Sequence, residues 1–310
     1  MVDLSRPDER RTFPVVPDGN AVTGVRFVPG SRLAIVLGAN ELVALVDTDS
    51  GRVVRTIASR PGDEADDDHA PASLSADGSL LAVPRAWAAS GNVIQVGLWR
   101  LPSGRPVGKP LVVGRTIHDL QLSPDGRRLL VVLDAAGLEG GVVETWDVRT
   151  RRRLRALKFA QAQSLARFSP DGRLFAVGNR YGETRVYDTA TFKPVTRVLS
   201  ADPGAIIGAA ITRDDRTLAT GSETGAVQLW DIRTGHVLGA PLPGVPSSGV
   251  IPAFTPDGGH LVAAYATGRA YLWDIRPASV ARHACDVAGR RLTRAEWEAF
   301  LPGREYAPAC

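Results

Sequence analysis

The chain has 310 residues, of which 44% are hydrophobic, 23% charged and 6% aromatic, enough for a packed core in a protein of ordinary composition. Its formal net charge of +4 is too small to indicate nucleic acid as a partner. No apolar run approaches the roughly 20 residues that span a bilayer, and the charged start MVDLSRPDERRTF does not have the form of a signal peptide. These features predict a cytoplasmic protein that acts without a membrane or nucleic acid.

The first part of the chain predicts a series of short strands. Asp8–Val16 indicates a strand with no partner before it. Four more strands are predicted at Val22–Val28, Leu33–Leu37, Leu42–Val46 and Val53–Ile57. Strands of about five residues separated by polar or Gly-containing turns are typical of an antiparallel meander. Because one meander cannot cover its own apolar faces, we expect further copies to stack beside it.

The same pattern recurs, and its clearest copy is Ala210–Leu238, AITRDDRTLATGSETGAVQLWDIRTGHVL. The turns between first and second strands begin at positions 29, 76, 124, 170, 213 and 256, which are 47, 48, 46, 43 and 43 residues apart. Four of the six units carry Pro-Asp-Gly or a near variant at this turn, and three carry Trp-Asp where the third strand ends. In such a turn Pro fixes φ, Asp caps the turn and Gly supplies a positive φ.

Six in-phase units with Trp-Asp endings resemble the WD40 repeat family over residues 10–276. The resemblance implies an all-β propeller of six four-stranded blades. The N-terminal strand Arg10–Val16 would complete the sixth blade and close the ring; an incomplete seven-bladed propeller is the alternative. The hydrogen-bonded tetrad that many WD40 blades contain is mostly absent, since only His118 lies near a first strand. Residues 277–310 leave the pattern and are assigned to a helical tail.

For function, the resemblance implies a non-enzymatic scaffold for protein–protein interaction, without catalytic residues, metal or cofactor. A ligand-sensing domain is one alternative. A propeller hydrolase or lyase is another, and it would need metal ligands on equivalent inner strands, which we expect to be apolar. Partner contacts are expected on exposed loops that join blades or connect second to third strands. The candidates there are Trp87, His118, Arg180, Tyr181, Glu223 and Tyr265.

Two charge clusters also invite functional hypotheses. The acidic segment Asp63–His69 could hold a divalent cation, but its spacing fits no calcium loop, so a solvated loop is favoured. The basic residues between Arg149 and Arg155 could contact phosphate, but no aromatic residues are interleaved for stacking. We therefore interpret this run as a solvated turn between the third and fourth strands.

The tail predicts a helix over Leu292–Leu301, opened by a capping box of Thr293 and Glu296 and a hydrophobic staple of Leu292 with Trp297. Its residue order resembles the tails of bacterial, especially actinobacterial, WD40 proteins. That resemblance implies a signalling or regulatory assembly with an NTP-hydrolysing module on a separate or longer chain. Cys285 and Cys310 flank the helix and form either a disulfide or two reduced thiols.

Overall fold

The computed structural model describes residues 2–3, 6–10, 22–38, 42–58, 72–85, 95–113, 117–134, 140–200, 203–289, 293–300 and 305–306. Six antiparallel sheets follow one another along the chain and form a ring. The fold is therefore a six-bladed β-propeller, which confirms the blade number predicted from the repeats. The first strands are innermost, because those of successive blades from blade 2 to blade 6 contact one another.

Most predicted strands are present, with ends shifted by one or a few residues. Ahead of the ring, β1 (Val2–Asp3) pairs with β2 (Arg6–Arg10), so the expectation that the first strand has no partner before it is wrong for these residues. Blades 1 and 2 contain β3 (Val22–Phe27), β4 (Leu33–Gly38), β5 (Val43–Asp47), β6 (Val53–Ala58), and β7 (Ser73–Leu74), β8 (Leu80–Arg85), β9 (Gln95–Arg100), β10 (Arg105–Pro106), β11 (Leu111–Val112). Blades 3 and 4 contain β12 (Ile117–Leu122), β13 (Arg128–Asp134), β14 (Gly141–Asp147), β15 (Arg152–Phe159), and β16 (Gln163–Phe168), β17 (Leu174–Asn179), β18 (Glu183–Asp188), β19 (Leu199–Ser200). Blades 5 and 6 contain β20 (Ile206–Ile211), β21 (Thr217–Ser222), β22 (Val227–Asp231), β23 (His236–Val237), and β24 (Val250–Phe254), β25 (His260–Tyr265), β26 (Ala270–Asp274).

The core is divided into apolar layers between successive blades. Each of five buried clusters draws its members from two neighbouring blades, from blades 1 and 2 through to blades 5 and 6. This follows from strand geometry, because alternate side chains of a strand point to opposite faces of its sheet. A sheet that is covered on both faces therefore needs two apolar sets of residues. Burial between blades is the main stabilising contribution to the ring.

The junction between blades 6 and 1 differs from the other five. Blade 6 has three strands among the described residues. Its face opposite the blade 5 contact carries Ile251 and Leu272, which are 59% and 64% exposed. The predicted closing strand Arg10–Val16 lies outside the described residues except for Arg10, which ends β2. Closure of the ring by that strand stays a prediction.

One hydroxyl–carboxylate unit recurs where the first strand turns into the second. In blade 4, Ser169 Oγ donates to Asp171 Oδ1 over 2.7 Å and accepts from the Leu174 N–H over 3.1 Å. The other members of the set are Ser75 with Asp77, Ser123 with Asp125, Thr212 with Asp214, and Thr255 with Asp257. The hydroxyl thus satisfies the first backbone donor of the returning strand, and the carboxylate fixes the hydroxyl.

The Asp of Trp-Asp caps the next turn. Asp231 Oδ1 accepts from Thr234 N over 2.7 Å and from Thr234 Oγ1 over 2.8 Å. Equivalent pairs are Asp47 with Ser50, Asp147 with Thr150, and Asp188 with Thr191. These bonds lower the pKa of Asp231, chiefly through the Thr234 N–H. One buried hydrogen bond of the kind found in the WD40 tetrad is present, because Trp230 Nε1 donates to Thr220 Oγ1 over 3.0 Å.

Asp214 and Asp215, which are adjacent in blade 5, have pKa values that are shifted in opposite directions. The Thr212 hydroxyl lowers the pKa of Asp214, whereas burial and then the Asp171 carboxylate raise the pKa of Asp215. Asp215 also has a φ of 58°, and its Oδ1 is buried without a partner among the described residues. Ionised Asp215 therefore opposes folding at neutral pH, whereas ionised Asp214 supports it.

We expect Asp215→Asn to raise the free energy of unfolding at pH 7 by about 0.5–1 kcal/mol, because it removes the ionised carboxylate and Asn tolerates positive φ. The effect of Asp215 ionisation grows as pH rises from about 4 through its raised pKa, so the gain should be larger at pH 7 than at pH 4. The matched control Asp214→Asn should instead lose about 1 kcal/mol at pH 7. Urea unfolding at both pH values measures the change in the free energy of unfolding for each variant. If both variants changed it in the same direction at pH 7, the opposite roles of the two carboxylates would be contradicted.

Two helices follow the propeller. Helix α1 comprises Pro277–Ala288, with Pro277 in its first turn and Gly289 at its C-cap with a φ of 66°. Helix α2 comprises Arg294–Phe300. Its predicted capping box is confirmed, because Glu296 N donates to Thr293 Oγ1 over 3.3 Å and Thr293 N donates to Glu296 Oε2 over 2.8 Å. The predicted staple stays untested because Leu292 lies outside the described residues.

Candidate functional site

Two predicted partner-binding residues, Arg180 and Tyr181, lie on the turn Asn179–Glu183 between β17 and β18. Asn179 Oδ1 accepts from the backbone N–H groups of Tyr181 and Glu183, each over 2.9 Å. Asn179 Nδ2 donates to Glu183 Oε2 over 2.8 Å and to Gln161 Oε1 over 2.6 Å. This one side chain therefore fixes the turn from inside and ties it to the strand join from blade 3. Tyr181 remains 59% exposed.

His118 lies next to this turn although 62 residues separate it from Arg180. Arg180 Nη2 is 3.5 Å from His118 Nε2. His118 is half-buried and belongs to β12, so the expectation that it lies on an exposed loop is wrong. The structure thus brings three predicted residues, His118, Arg180 and Tyr181, to the rim of the ring between blades 3 and 4. A cavity of about 390 Å³ opens beside the turn and includes Asn179 and Glu183 in its wall. His118 instead lines a different cavity, of about 450 Å³.

Glu223 lies on the corresponding turn of blade 5. It is exposed, and its Oε1 accepts from the Ala205 N–H over 3.1 Å. The carboxylate therefore holds the join between blades 4 and 5 as well as facing solvent. No hydrogen bond to another predicted residue is recorded for Glu223 within the described ranges. Trp87, the remaining loop candidate, lies outside the described residues, so its role stays a prediction.

Tyr265 is not on an exposed loop, and that prediction is wrong. It is 4% exposed and packs edge-on against Tyr271, with ring centroids 5.5 Å apart. Leu261, Ala263 and Tyr265 alternate along β25 and all three are buried in the layer between blades 5 and 6. A period of two along a strand places such residues on one face. The sequence itself shows an unbroken apolar run at 261–265, and its place within a predicted strand could have identified Tyr265 as a core residue.

The inner strands are polar in several blades, contrary to expectation. Three residues before each repeat anchor, the six blades carry Arg26, Ser73, Gln121, Arg167, Ala210 and Ala253. The first four positions belong to consecutive blades and line a central cavity of about 450 Å³. The expectation of apolar inner strands is therefore wrong for blades 1 to 4. The signal was available, because comparing one position across the repeats gives this polar series directly.

Some of these polar side chains join one blade to the next. Ser73 Oγ accepts from the Leu122 N–H over 2.9 Å, and Gln121 Oε1 accepts from the Phe168 N–H over 2.5 Å. Asp119, which is buried, accepts from the Ala166 N–H over 3.1 Å and from Arg167 Nη1. Side chains of one inner strand thus satisfy backbone donors of the following inner strand. These bonds fix the rotation between blades 2, 3 and 4.

The charges in the cavity do not balance among the described residues that line it. Arg26 and Arg167 contribute two positive charges, and Asp119 contributes one negative charge. Burial and then the charge of Arg167 lower the pKa of Arg26, while Asp119 opposes this shift. Arg26 is exposed, and it belongs to the wall of this cavity together with Arg167. Surrounding protein therefore limits the screening of the two guanidinium groups.

Of the two predicted charge clusters, the structure describes only the basic one. The acidic segment Asp63–His69 lies outside the described residues. In the basic run, the prediction of a turn is wrong for Arg152, Arg153 and Arg155, which lie on the outer strand β15. Arg153 pairs with the buried Glu144 over 2.5 Å, and Arg155 lies 5.9 Å from the centre of the Phe192 ring. These two arginines thus have structural contacts.

The cysteines of the tail were the remaining candidates for a covalent link or a metal site. Cys285 is disulfide-bonded, but Cys310 lies outside the described residues, so their pairing stays a prediction. Across the described part of the chain, no three His, Cys, Asp or Glu side chains are grouped as metal ligands. Among those residues there is also no helix with the length and hydropathy needed to cross a membrane.

Comparisons of the sequence with protein-family models and with curated proteins give no match. The six-bladed propeller fold therefore follows from the geometry of the sheets and from the repeats themselves.

Proposed function

We propose that this chain is a WD40-type propeller that acts as a non-enzymatic scaffold for protein–protein interaction, in the cytoplasm and within bacterial signalling or regulatory assemblies. Three Trp-Asp strand endings, the capping role of Asp231 and the Trp230–Thr220 hydrogen bond support the WD40 assignment. The scaffold assignment rests on one observation, the preorganised turn that presents Tyr181 and Arg180.

The physical argument concerns the cost of ordering a binding surface. Tyrosine and arginine are enriched among residues that dominate interface energies. A partner that contacts Tyr181 and Arg180 would not have to order their turn, since Asn179 already holds it through four hydrogen bonds. The neighbouring cavity offers a recess for a side chain of the partner. A protein partner fits this surface, and an NTP-hydrolysing module is the partner class that the tail resemblance suggests.

The test is proximity labelling in cells that express the protein, comparing the natural chain with a Tyr181→Ala, Arg180→Ala double variant. We expect the variant to lower labelling of the partner at least about tenfold, as loss of a dominant interface pair does. The control is Arg233→Ala, Leu238→Ala, which removes a charge and an exposed apolar side chain at the outer edge of blade 5. Equal labelling by both double variants would refute this binding surface.

A further inference from the structure

We propose that the central channel binds a small oxyanion, the phosphate or carboxylate group of a metabolite, between the guanidinium groups of Arg26 and Arg167. This inference does not depend on the proposed scaffold role. It concerns the cavity lined by Arg26 and Arg167, whereas the proposed partner surface is the turn Asn179–Glu183, which approaches that cavity through the contact of Arg180 with His118.

The first support is the hydrogen-bonding capacity that remains on the two arginines. Arg167 uses Nη1 for Asp119 and for the Ala166 carbonyl, the latter over 2.9 Å. Arg26 uses Nη1 for the carbonyl of its neighbour Val25, over 3.2 Å. The Nε and Nη2 donors of both arginines have no partner among the described residues. Each guanidinium therefore retains the two-donor edge that binds a carboxylate or phosphate with two parallel hydrogen bonds.

The second support is electrostatic. Two guanidinium groups and a single carboxylate leave one excess positive charge among the described residues of the cavity wall. The carboxylate of Asp119 is already committed, because it accepts from Arg167 and from the Ala166 N–H. An oxyanion between the arginines would neutralise the excess charge in a space where protein limits screening by solvent. The repulsion between Arg26 and Arg167 thus favours occupancy.

The third support is space and position. The cavity of about 450 Å³ is within the range of sites for small molecules. Its wall combines the arginines with Leu37, Leu74 and Leu120, so that a charged group and an apolar portion of one ligand both find contacts. At the positions equivalent to Arg26 and Arg167, blades 5 and 6 carry the small, uncharged Ala210 and Ala253, so the charged groups of this residue series come from blades 1 and 4. The phosphate or carboxylate group alone should bind, and an apolar portion attached to it should add contacts with the leucines.

The experiment titrates inorganic phosphate and, separately, citrate into the full chain at constant ionic strength, with heat of binding and Tm as readouts. We expect saturable binding of at least one anion and a Tm rise of about 2 °C near saturation. Phosphate binding without citrate binding would assign the site to phosphate groups, and the reverse would assign it to carboxylates. Saturation by neither anion would overturn the proposal.

Arg26→Gln is the decisive variant, because among the residues that the structure describes the Arg26 side chain hydrogen-bonds only to the Val25 carbonyl, so its loss should not disturb folding. We expect it to weaken anion binding at least about tenfold, as removal of a charge-assisted bond does. Its ligand-free Tm should equal or exceed that of the natural chain, since repulsion with Arg167 is removed. The control Arg213→Gln makes the same charge change at an exposed turn and should bind as the natural chain does. Equal affinity of Arg26→Gln and Arg213→Gln would refute the site even if the anion binds.

Discussion

Replacement of Phe175 by alanine is expected to lower the free energy of unfolding by about 3–5 kcal/mol. Phe175 is completely buried in the layer between blades 3 and 4. Its ring stacks on Tyr187 at 5.3 Å and meets Phe168 and Phe192 edge-on at 6.2 Å and 6.4 Å. Alanine would leave a cavity and remove three aromatic contacts, and strands on both sides prevent its collapse.

Urea-induced unfolding followed by tryptophan fluorescence measures this effect. Phe175→Leu, which keeps most of the volume, should lose less than half as much free energy as the alanine variant. Tyr181→Ala is the matched control, because it removes an aromatic ring that is 59% exposed and should change stability by less than about 0.5 kcal/mol. A loss below 1 kcal/mol for Phe175→Ala would mean that the layer between blades 3 and 4 does not hold the ring together.

The second large effect is expected for Gly225→Ala, with a loss of about 3 kcal/mol. Gly225 has a φ of 92°, which disfavours any side chain, and a Cβ there would lie 2.0 Å from the Val245 carbonyl oxygen. The blocking atom belongs to the backbone of the join between blades 5 and 6. That join is itself held by a hydrogen bond of 2.7 Å from Ser247 N to the Thr224 carbonyl. The variant must therefore displace the join or abandon the turn.

The variant Gly239→Ala separates the cost of the positive φ from the cost of the clash with the Val245 carbonyl. Gly239 has a φ of 76°, but a Cβ there would have no atom within 4 Å. This variant should show only the backbone cost of about 1 kcal/mol. Thermal unfolding of both proteins measures the difference, which reports the close approach of the Val245 carbonyl. If the two variants were equally stable, the close approach at Gly225 would have no energetic consequence.

The strands of this propeller were predictable because each unit repeats the same local signals. In blade 1, the predicted strand Leu33–Leu37 is observed as Leu33–Gly38, and Leu42–Val46 as Val43–Asp47. Turn residues and alternating apolar residues act over a few positions, and six copies reinforce one another. The serine and threonine that precede each Pro-Asp-Gly turn were not recognised. Their role depends on a donor five residues later, as in Ser169 with Leu174.

The candidate site was predicted less well because it depends on contacts between blades. Arg180 and Tyr181 follow from the position of a turn, but their proximity to His118 requires the geometry of the ring. Likewise, Arg26 and Arg167 are 141 residues apart in the chain and line the same cavity only because first strands of different blades come together there. Sequence periodicity identifies which residues share a face of one blade. It does not identify which charged residues of different blades meet.

Two kinds of hydrogen bond hold the blades, and they behave differently when a blade is duplicated. The hydroxyl–carboxylate turns, such as Ser123 with Asp125, are complete within six residues and travel with a blade when its gene segment is duplicated. The bonds from Ser73 to Leu122 and from Gln121 to Phe168 join unlike neighbours, so each fits one place in the series. A duplicated blade therefore brings its own turn bonds, while its apolar faces still need neighbouring blades to cover them. Later substitutions on the inner strands create bonds that are specific to one pair of neighbouring blades, and these bonds determine the order of the blades around the ring.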